Sequence, residues 1–228
     1  MRRKPPPPTV VLLVRHGSTP STGKELPEPG AGPSLSDAGR KEAEEAGQLI
    51  AAWRATLPPL AALYSSPLSR TRETAGIVGK ALNLDVVEER GLVDCDVGEW
   101  AGEPLSHLSR KPEWPVVQHY PSGFRFPGGE SMAEMSARIV GTVRALAARH
   151  PGHAVVVVSH ADPIKAVLAE ALGVHLDLFQ RIVVSPASVS SISYSQAGPA
   201  VMLTNWTGPS RHAPSKAKPA PPATGQPA

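Results

Sequence analysis

The amino-acid sequence predicts an α/β protein, a three-layer sandwich with a mostly parallel central sheet and helices on both faces. Three observations carry that prediction. Short, continuously apolar, β-branched runs alternate with longer segments of helical period. The two best runs, Thr9 to Val14 and Ala154 to Val158, lack polar alternation, as expected of strands buried on both faces of a parallel sheet. The 228 residues, 41% of them hydrophobic, suffice for one full-size core with appendages at about 150 residues per domain.

Taken in order, Thr9 to Val14 is the first strand, and residues 20–34, rich in Pro and Gly, form a loop. Ser36 caps a helix whose Ala46, Leu49, Ile50 and Trp53 recur at helical spacing. Leu60 to Tyr64 is a second strand. Pro67 opens a second helix carrying Ala75, Val78 and Leu82, and Leu84 to Val87 is a short third strand. Residues 100–129 hold five prolines and no clear period, a length typical of lids and binding loops. Ser131 and Glu134 form a capping box for a helix with Met132, Met135, Ile139, Val143 and Leu146 on its apolar face. The strand Ala154 to Val158 runs into Ser159-His160-Ala161. Asp162 and Pro163 then supply an N-cap and an N1 proline for a helix ending at Gly173. Val189 to Tyr194 and Val201 to Asn205 are late strands.

The domain organisation expected is a basic, proline-rich tail over 1–8, a compact domain over 9–207 and a disordered Pro/Ala/Lys-rich tail over 208–228. Ten of the 26 prolines lie in the tails. The formal charge is +3, but Arg2, Arg3, Lys4, Arg211, Lys216 and Lys218 occupy the tails with no acid beside them. The body is therefore net acidic, which argues against a nucleic-acid binder. Cys95 is the single cysteine, so an intrachain disulfide and a cysteine-built zinc site are excluded. No apolar run approaches the 18 or so residues of a membrane span, and Val10 to Val14 is too short for a signal-peptide core. A cytoplasmic protein without membrane or nucleic-acid partners is expected; the sequence leaves its oligomeric state open.

Ligands of open α/β sheets bind beyond the C-terminal strand ends. Arg15, His16 and Gly17 follow the first strand, Ser65 to Arg70 the second, and His160 the strong later one, just before a helix N-terminus. Arginine forks match phosphate oxygens, helix N-termini attract anions, and a neutral imidazole is a competent nucleophile near pH 7. The residues point to a phosphate site with a histidine nucleophile.

At these positions the chain resembles the histidine phosphatase superfamily (phosphoglycerate mutase-like). Arg15-His16-Gly17-Ser18-Thr19 is similar to its R-H-G-x-T signature, and Ser66-Pro67-Leu68-Ser69-Arg70 with Thr74-Ala75 to its S-P-L-x-R-x-x-x-T-A element. Asp94 to Gly102 resembles E-x-x-x-G-x-W-E-G, Phe126 to Ser131 a P-G-G-E-S segment, and Ser159-His160 the second histidine motif. The resemblance covers about 9–205 and implies a phosphoglycerate mutase-like fold and a small phosphorylated metabolite as substrate. It implies that His16 becomes phosphohistidine, that Arg15, Arg70 and His160 bind the phosphoryl oxygens, and that Asp94 moves the proton. Gly17, Thr19 and Ala161 fall at further phosphate- or substrate-binding positions, and neither metal nor cofactor is implied.

The chain departs from the pattern at Asp94 (usually Glu), Ala161 (commonly Gly) and Ala101 (usually Glu). Asp96 and Glu99 are close enough to compete with Asp94 for the proton-transfer role. Phosphatase and phosphomutase share the first half-reaction, and hydrolysis is the expectation because no long insertion builds a closed mutase pocket. Other classes stay in view: a non-catalytic phosphate-binding module, and a Mg²⁺-dependent haloacid-dehalogenase-type phosphatase suggested by Asp94-Cys95-Asp96. A cysteine phosphatase fails because position 101 is Ala. His107, Arg110, Lys111, His119 and Arg125 give the 100–129 segment a basic character; it is either a solvated loop or a cover that reads an anionic part of the substrate. His150 and His153 have the look of a metal pair but flank a Pro-Gly turn.

Overall fold

Six strands and six helices follow one another along the chain in a computed structural model that describes residues 5–28, 30 and 32–208. They are β1 Thr9–Arg15, α1 Asp37–Ala52, β2 Leu60–Ser65, α2 Ser69–Leu82, β3 Val86–Glu88, the short α3 Leu105–Leu108 and α4 Trp114–His119, α5 Met132–Arg149, β4 Ala154–Ser159, α6 Ala161–Leu172, β5 Val189–Ser195 and β6 Gly198–Trp206. Arg2, Arg3, Lys4 and nearly all of the C-terminal tail lie outside the described residues; Pro5 to Pro8 are exposed and without regular structure.

The strand order is β3-β2-β4-β1-β5-β6. β3, β2, β4 and β1 run parallel, and β5 and β6 add an antiparallel flank to β1. Side chains alternate across each strand, and both faces are apolar. Leu12, Val14, Val156 and Val158 pack with Ala46 and Ile50 of α1 and Val78 and Leu82 of α2. Val11, Leu13, Val155 and Val157 pack with Met135, Ile139 and Val143 of α5 and Ile164 and Val167 of α6. This double burial is why neither central strand alternates in sequence. Each such side chain contributes about 1.5–3 kcal/mol by leaving water.

Three boundaries differ from expectation. α2 starts at Ser69 with Leu68, whose backbone is extended, as its N-cap. β3 begins at Val86, since the N–H of Leu84 caps Gly79 O behind the left-handed Asn83 and so closes α2. α6 begins at Ala161 with His160 as N-cap, so Asp162 and Pro163 sit two positions deeper in the first turn than expected. Proline is tolerated there because the first N–H groups of a helix have no intrahelical partner.

Residues 100–129 are folded rather than a plain loop. Trp100, Leu108, Val117, Phe124 and Phe126 are buried, with Phe124 and Phe126 edge to face 5.0 Å apart and Trp100 within 5.6 Å of both. Among the described residues no helix is long and apolar enough to cross a membrane.

Candidate active site

The parallel register brings the chemistry to one rim. Arg15 stands beside Ser159 and Ser65 beside Val158, so the chain leaves β1, β2 and β4 at one level. The N–H of His16 donates to Ser159 O at 3.0 Å and that of Ser66 to Val158 O at 3.1 Å, carrying the alignment one residue past the strands.

His16 is nearly buried, and its Nδ1 lies 2.8 Å from Gly17 O. A carbonyl only accepts, so Nδ1 carries the proton and Nε2 keeps its lone pair. The N–H of Gly17 donates to Thr74 Oγ1 at 3.1 Å, and Thr74 Oγ1 donates to Arg70 O at 2.7 Å. One hydroxyl thus couples the His16 loop to the turn bearing Arg70. Behind them, Gly17 and Gly39 touch backbone to backbone, since a Cβ on Gly17 would lie 2.3 Å from Gly39 O.

The His160 ring centroid is 5.3 Å from that of His16, edge to face. His160 is fully buried and does not reach the cavity wall. Its Nε2 sits 2.9 Å from Ser66 Oγ, and its Nδ1 is 3.5 Å from Asp94 Oδ2 without a hydrogen-bond partner. Burial, the neighbouring His160 and the Arg70 and Arg15 cations hold His16 well below the ordinary imidazole pKa. Burial, Arg70, Arg15 and Arg138 do the same to His160. Both rings are therefore neutral near pH 7.

Arg15 anchors Nη1 on Val184 O at 2.7 Å, and Arg70 pairs Nη2 with Asp94 Oδ2 at 2.9 Å. Arg15 Nε and Arg70 Nη1 are buried without a hydrogen-bond partner among the described residues. Buried donors in native proteins are almost always satisfied, so these mark where an acceptor belongs. Gly32, at φ +70°, lies over Arg70, where a Cβ would stand 2.8 Å from Nη1.

Asp94 lines the cavity with Arg15, His16, Thr19, Arg70 and Ala161, whereas Asp96 and Glu99 are exposed and do not. Asp96 Oδ1 instead accepts from Gly98 N at 3.0 Å. The carboxylate of Asp94 also accepts from Cys95 N at 3.1 Å. Arg138 of α5 holds the approach to it, donating to the carbonyls of Gly91, Val93 and Asp94 at 3.0–3.1 Å and forking onto both oxygens of Glu130. Gly17 backs the site without lining it, and Thr19 braces the mouth through Thr22 Oγ1 at 2.9 Å. Ala161 and Asp162, the first two residues of α6, line the cavity, and the first N–H groups of a helix have no intrahelical partner.

Some side chains drop out. The basic residues of 100–129 do not line the cavity: His107 and Lys111 pair with Glu103, and Arg125 pairs with Glu134. That segment does cover the site, but through Leu105, Trp114, Val117, Gln118 and Phe126. His150 Nε2 bonds Tyr64 OH at 2.8 Å, and His153 Nδ1 lies 3.0 Å from Pro151 O. Burial pushes the Cys95 thiol well above its ordinary range, which leaves it unreactive. The sequence reading missed the roles of Thr74, Gly39, Glu130 and Arg138; Thr74 and Glu130 stand inside motifs, which was the available signal.

The cavity measures about 320 Å³. A lone-pair imidazole nitrogen, two guanidinium groups and a carboxyl at its floor suit transfer of a tetrahedral anion. Residues 11–207 match the family model of the histidine phosphatase superfamily (branch 1). The chain is 31% identical to phosphoserine phosphatase 1 of Hydrogenobacter thermophilus, over 86% of this chain and 92% of that one. It is 30% identical to the probable phosphoglycerate mutase GpmB of Cronobacter sakazakii, over 82% and 86%. Its fold superposes on Bacillus stearothermophilus YhfR with a TM-score of 0.77 at 24% identity, over 86% and 96% of the two chains. With the family model spanning nearly the whole described sheet, and the motif residues meeting at one rim, this chain belongs to the histidine phosphatase superfamily.

Proposed function

We propose that this protein hydrolyses small phosphate monoesters through a phosphohistidine on His16, without a metal. The observation that carries the reading is the pairing of an anchored Nδ1–H with an Nε2 lone pair beside buried, unsatisfied donors on Arg15, Arg70 and His160. His16 Nε2 attacks phosphorus, and the bond to the leaving oxygen breaks. Arg15 and Arg70 take the growing charge on the equatorial oxygens, and the Nδ1–H of His160, behind the cavity wall, adds its dipole to theirs. Ser66 supports that tautomer of His160, accepting from Leu68 N and donating to Nε2. Asp94, protonated once the substrate phosphate takes its place on Arg70, gives that proton to the leaving alcohol. It then takes one from the water that attacks the phosphohistidine, and the P–N bond breaks to release phosphate.

The phosphoserine phosphatase relative supports hydrolysis, and the phosphoglycerate mutase relative supports phosphoryl transfer to a second substrate as the alternative. A D-x-D metal-dependent reading is disfavoured because the Asp96 side chain is exposed and lies outside the cavity that Asp94 lines. The experiment is brief incubation with a ³²P-labelled phosphomonoester and an acid quench, with phosphate release followed in parallel with and without EDTA. Acid-labile label on the protein, lost in His16→Ala, with EDTA-insensitive release of inorganic phosphate, is the expected result. Activity abolished by EDTA, or label retained by His16→Ala, refutes the proposal; transfer to a phosphoglycerate with negligible release selects the mutase.

A further inference from the structure

We infer that the site prefers phosphate monoesters of uncharged, apolar alcohols over those carrying a carboxylate near the phosphate; this rests on the function proposed above. The charge of the cavity wall is the reason. Among the described residues lining it, Arg15 and Arg70 are the cations, and both belong to the phosphoryl end. The rest of the wall is mostly apolar, including Leu26, Leu105, Trp114, Val117 and Phe126, and its neutral polar groups include Gln118, Gln180 and the hydroxyls of Thr19, Ser21 and Thr22.

The other charged groups of the wall have the wrong sign for a carboxylate. Glu25 and Asp162 line the cavity as acids. Lys165 lies near but is committed, with its Nζ 3.1 Å from Asp162 Oδ1, 2.8 Å from Gln180 Oε1 and 5.6 Å from the Phe179 ring centroid. None of the basic side chains of the covering segment lines the cavity, and His107 and Lys111 pair with Glu103 and Arg125 with Glu134. A substrate carboxylate would give up its water against apolar side chains with no cation to receive it. An apolar alcohol would bury carbon against the same wall at no such cost.

The test compares kcat/KM of the full chain for 2-phenylethyl phosphate, 3-phosphoglycerate and phosphoserine. All three leave as primary alcohols, or as the primary oxygen of a hydroxy acid, so the comparison reads the pocket rather than leaving-group chemistry. The phenylethyl ester should exceed each of the others at least tenfold. Gln118→Lys, which adds a cation on the exposed side of the wall, should narrow that ratio by raising the value for 3-phosphoglycerate while the variant still hydrolyses the phenylethyl ester. Carboxylate esters used as well as or better than the phenylethyl ester, or a ratio unmoved by Gln118→Lys, overturns the assignment. Failure of the underlying function has a different signature: no ester is hydrolysed, or hydrolysis survives in His16→Ala, and the substrate assignment then falls with it.

Discussion

Gly39→Ala sets two physical effects against each other. Gly39 lies in the first turn of α1, where helix propensity alone favours alanine by about 1 kcal/mol. A Cβ there would stand 2.0 Å from Ser18 O and 2.8 Å from Ser18 N, where ordinary contact begins near 3.4 Å. The obstacle cannot rotate away. Ser18 O accepts from Ser36 N at 2.9 Å and from Ser36 Oγ at 3.0 Å, and Ser18 N donates to Glu42 at 2.8 Å. Helix and loop must part by more than an ångström, and the loop is the one whose Gly17 carbonyl orients His16. Overpacking of this kind costs about 1–3 kcal/mol, which outweighs the propensity gain. A net loss near 1 kcal/mol lowers Tm by about 2–4 °C in a domain of this size. Displacing a reacting group by an ångström costs about 100-fold in rate, so kcat should fall far more than stability does. Gly141→Ala in α5, where a Cβ meets nothing within 4 Å, is the control: its Tm should rise and its kcat stay put. Thermal unfolding by circular dichroism and steady-state phosphate release read both quantities. A Gly39→Ala protein with a raised Tm and the parental kcat would refute the claim that this backbone contact positions His16.

The two buried imidazoles predict a pH dependence of stability. Their pKa values are depressed in the native state, so below about pH 6.5 the unfolded chain binds protons that the native chain refuses. Stability is complete above that pH and declines as pH falls, by at most about 1.4 kcal/mol per pH unit for each ring; urea midpoints at pH 7.5 and 5.5 measure it, and His160→Gln should flatten the slope. Asp94→Asn should lower kcat on an alkyl phosphate by about 10²–10⁴, with a far smaller loss on 4-nitrophenyl phosphate, whose leaving oxygen needs no proton. Equal losses on both esters would make Asp94 a support for Arg70 alone, and Asp96→Asn should change neither rate.

The parts of the fold legible in the sequence are those where one local pattern has one structural meaning. β1 and β4 are unbroken apolar runs because both faces are covered, and Ser131 with Glu134 forms its capping box as read. Arg15, His16, Arg70 and His160 could be brought together without coordinates, because parallel strands deliver their C-terminal ends to one rim. The antiparallel pairing of β5 was not legible, since direction leaves no mark on a short apolar run. The chemistry of the covering segment was not legible either. Its basic residues outnumber its acids, but none lines the cavity and His107, Lys111 and Arg125 pair locally with Glu103 and Glu134; its apolar residues, spaced irregularly, are what reach the cavity.

Least legible was how the carboxyl is held in place. An aspartate has two side-chain torsions where a glutamate has three, so the position of its oxygens follows the backbone closely. Here that backbone is fixed from outside the motif. Arg138, 44 residues away in sequence, gathers the carbonyls of Gly91, Val93 and Asp94 and is itself oriented by both oxygens of Glu130. Glu130 also accepts from the N–H of Asp96 on the far side of the carboxyl. With Arg70 on one oxygen and Cys95 N–H on the other, the carboxylate has little freedom left. Nothing in the sequence distinguishes Arg138 from a solvated helix residue, because its partners are main-chain atoms whose positions exist only after α5 has docked. The substitution of the usual glutamate by Asp94 is thus answered by main-chain placement rather than side-chain reach: a shorter acid can serve the proposed proton transfer because a guanidinium that never meets the substrate fixes where its chain begins.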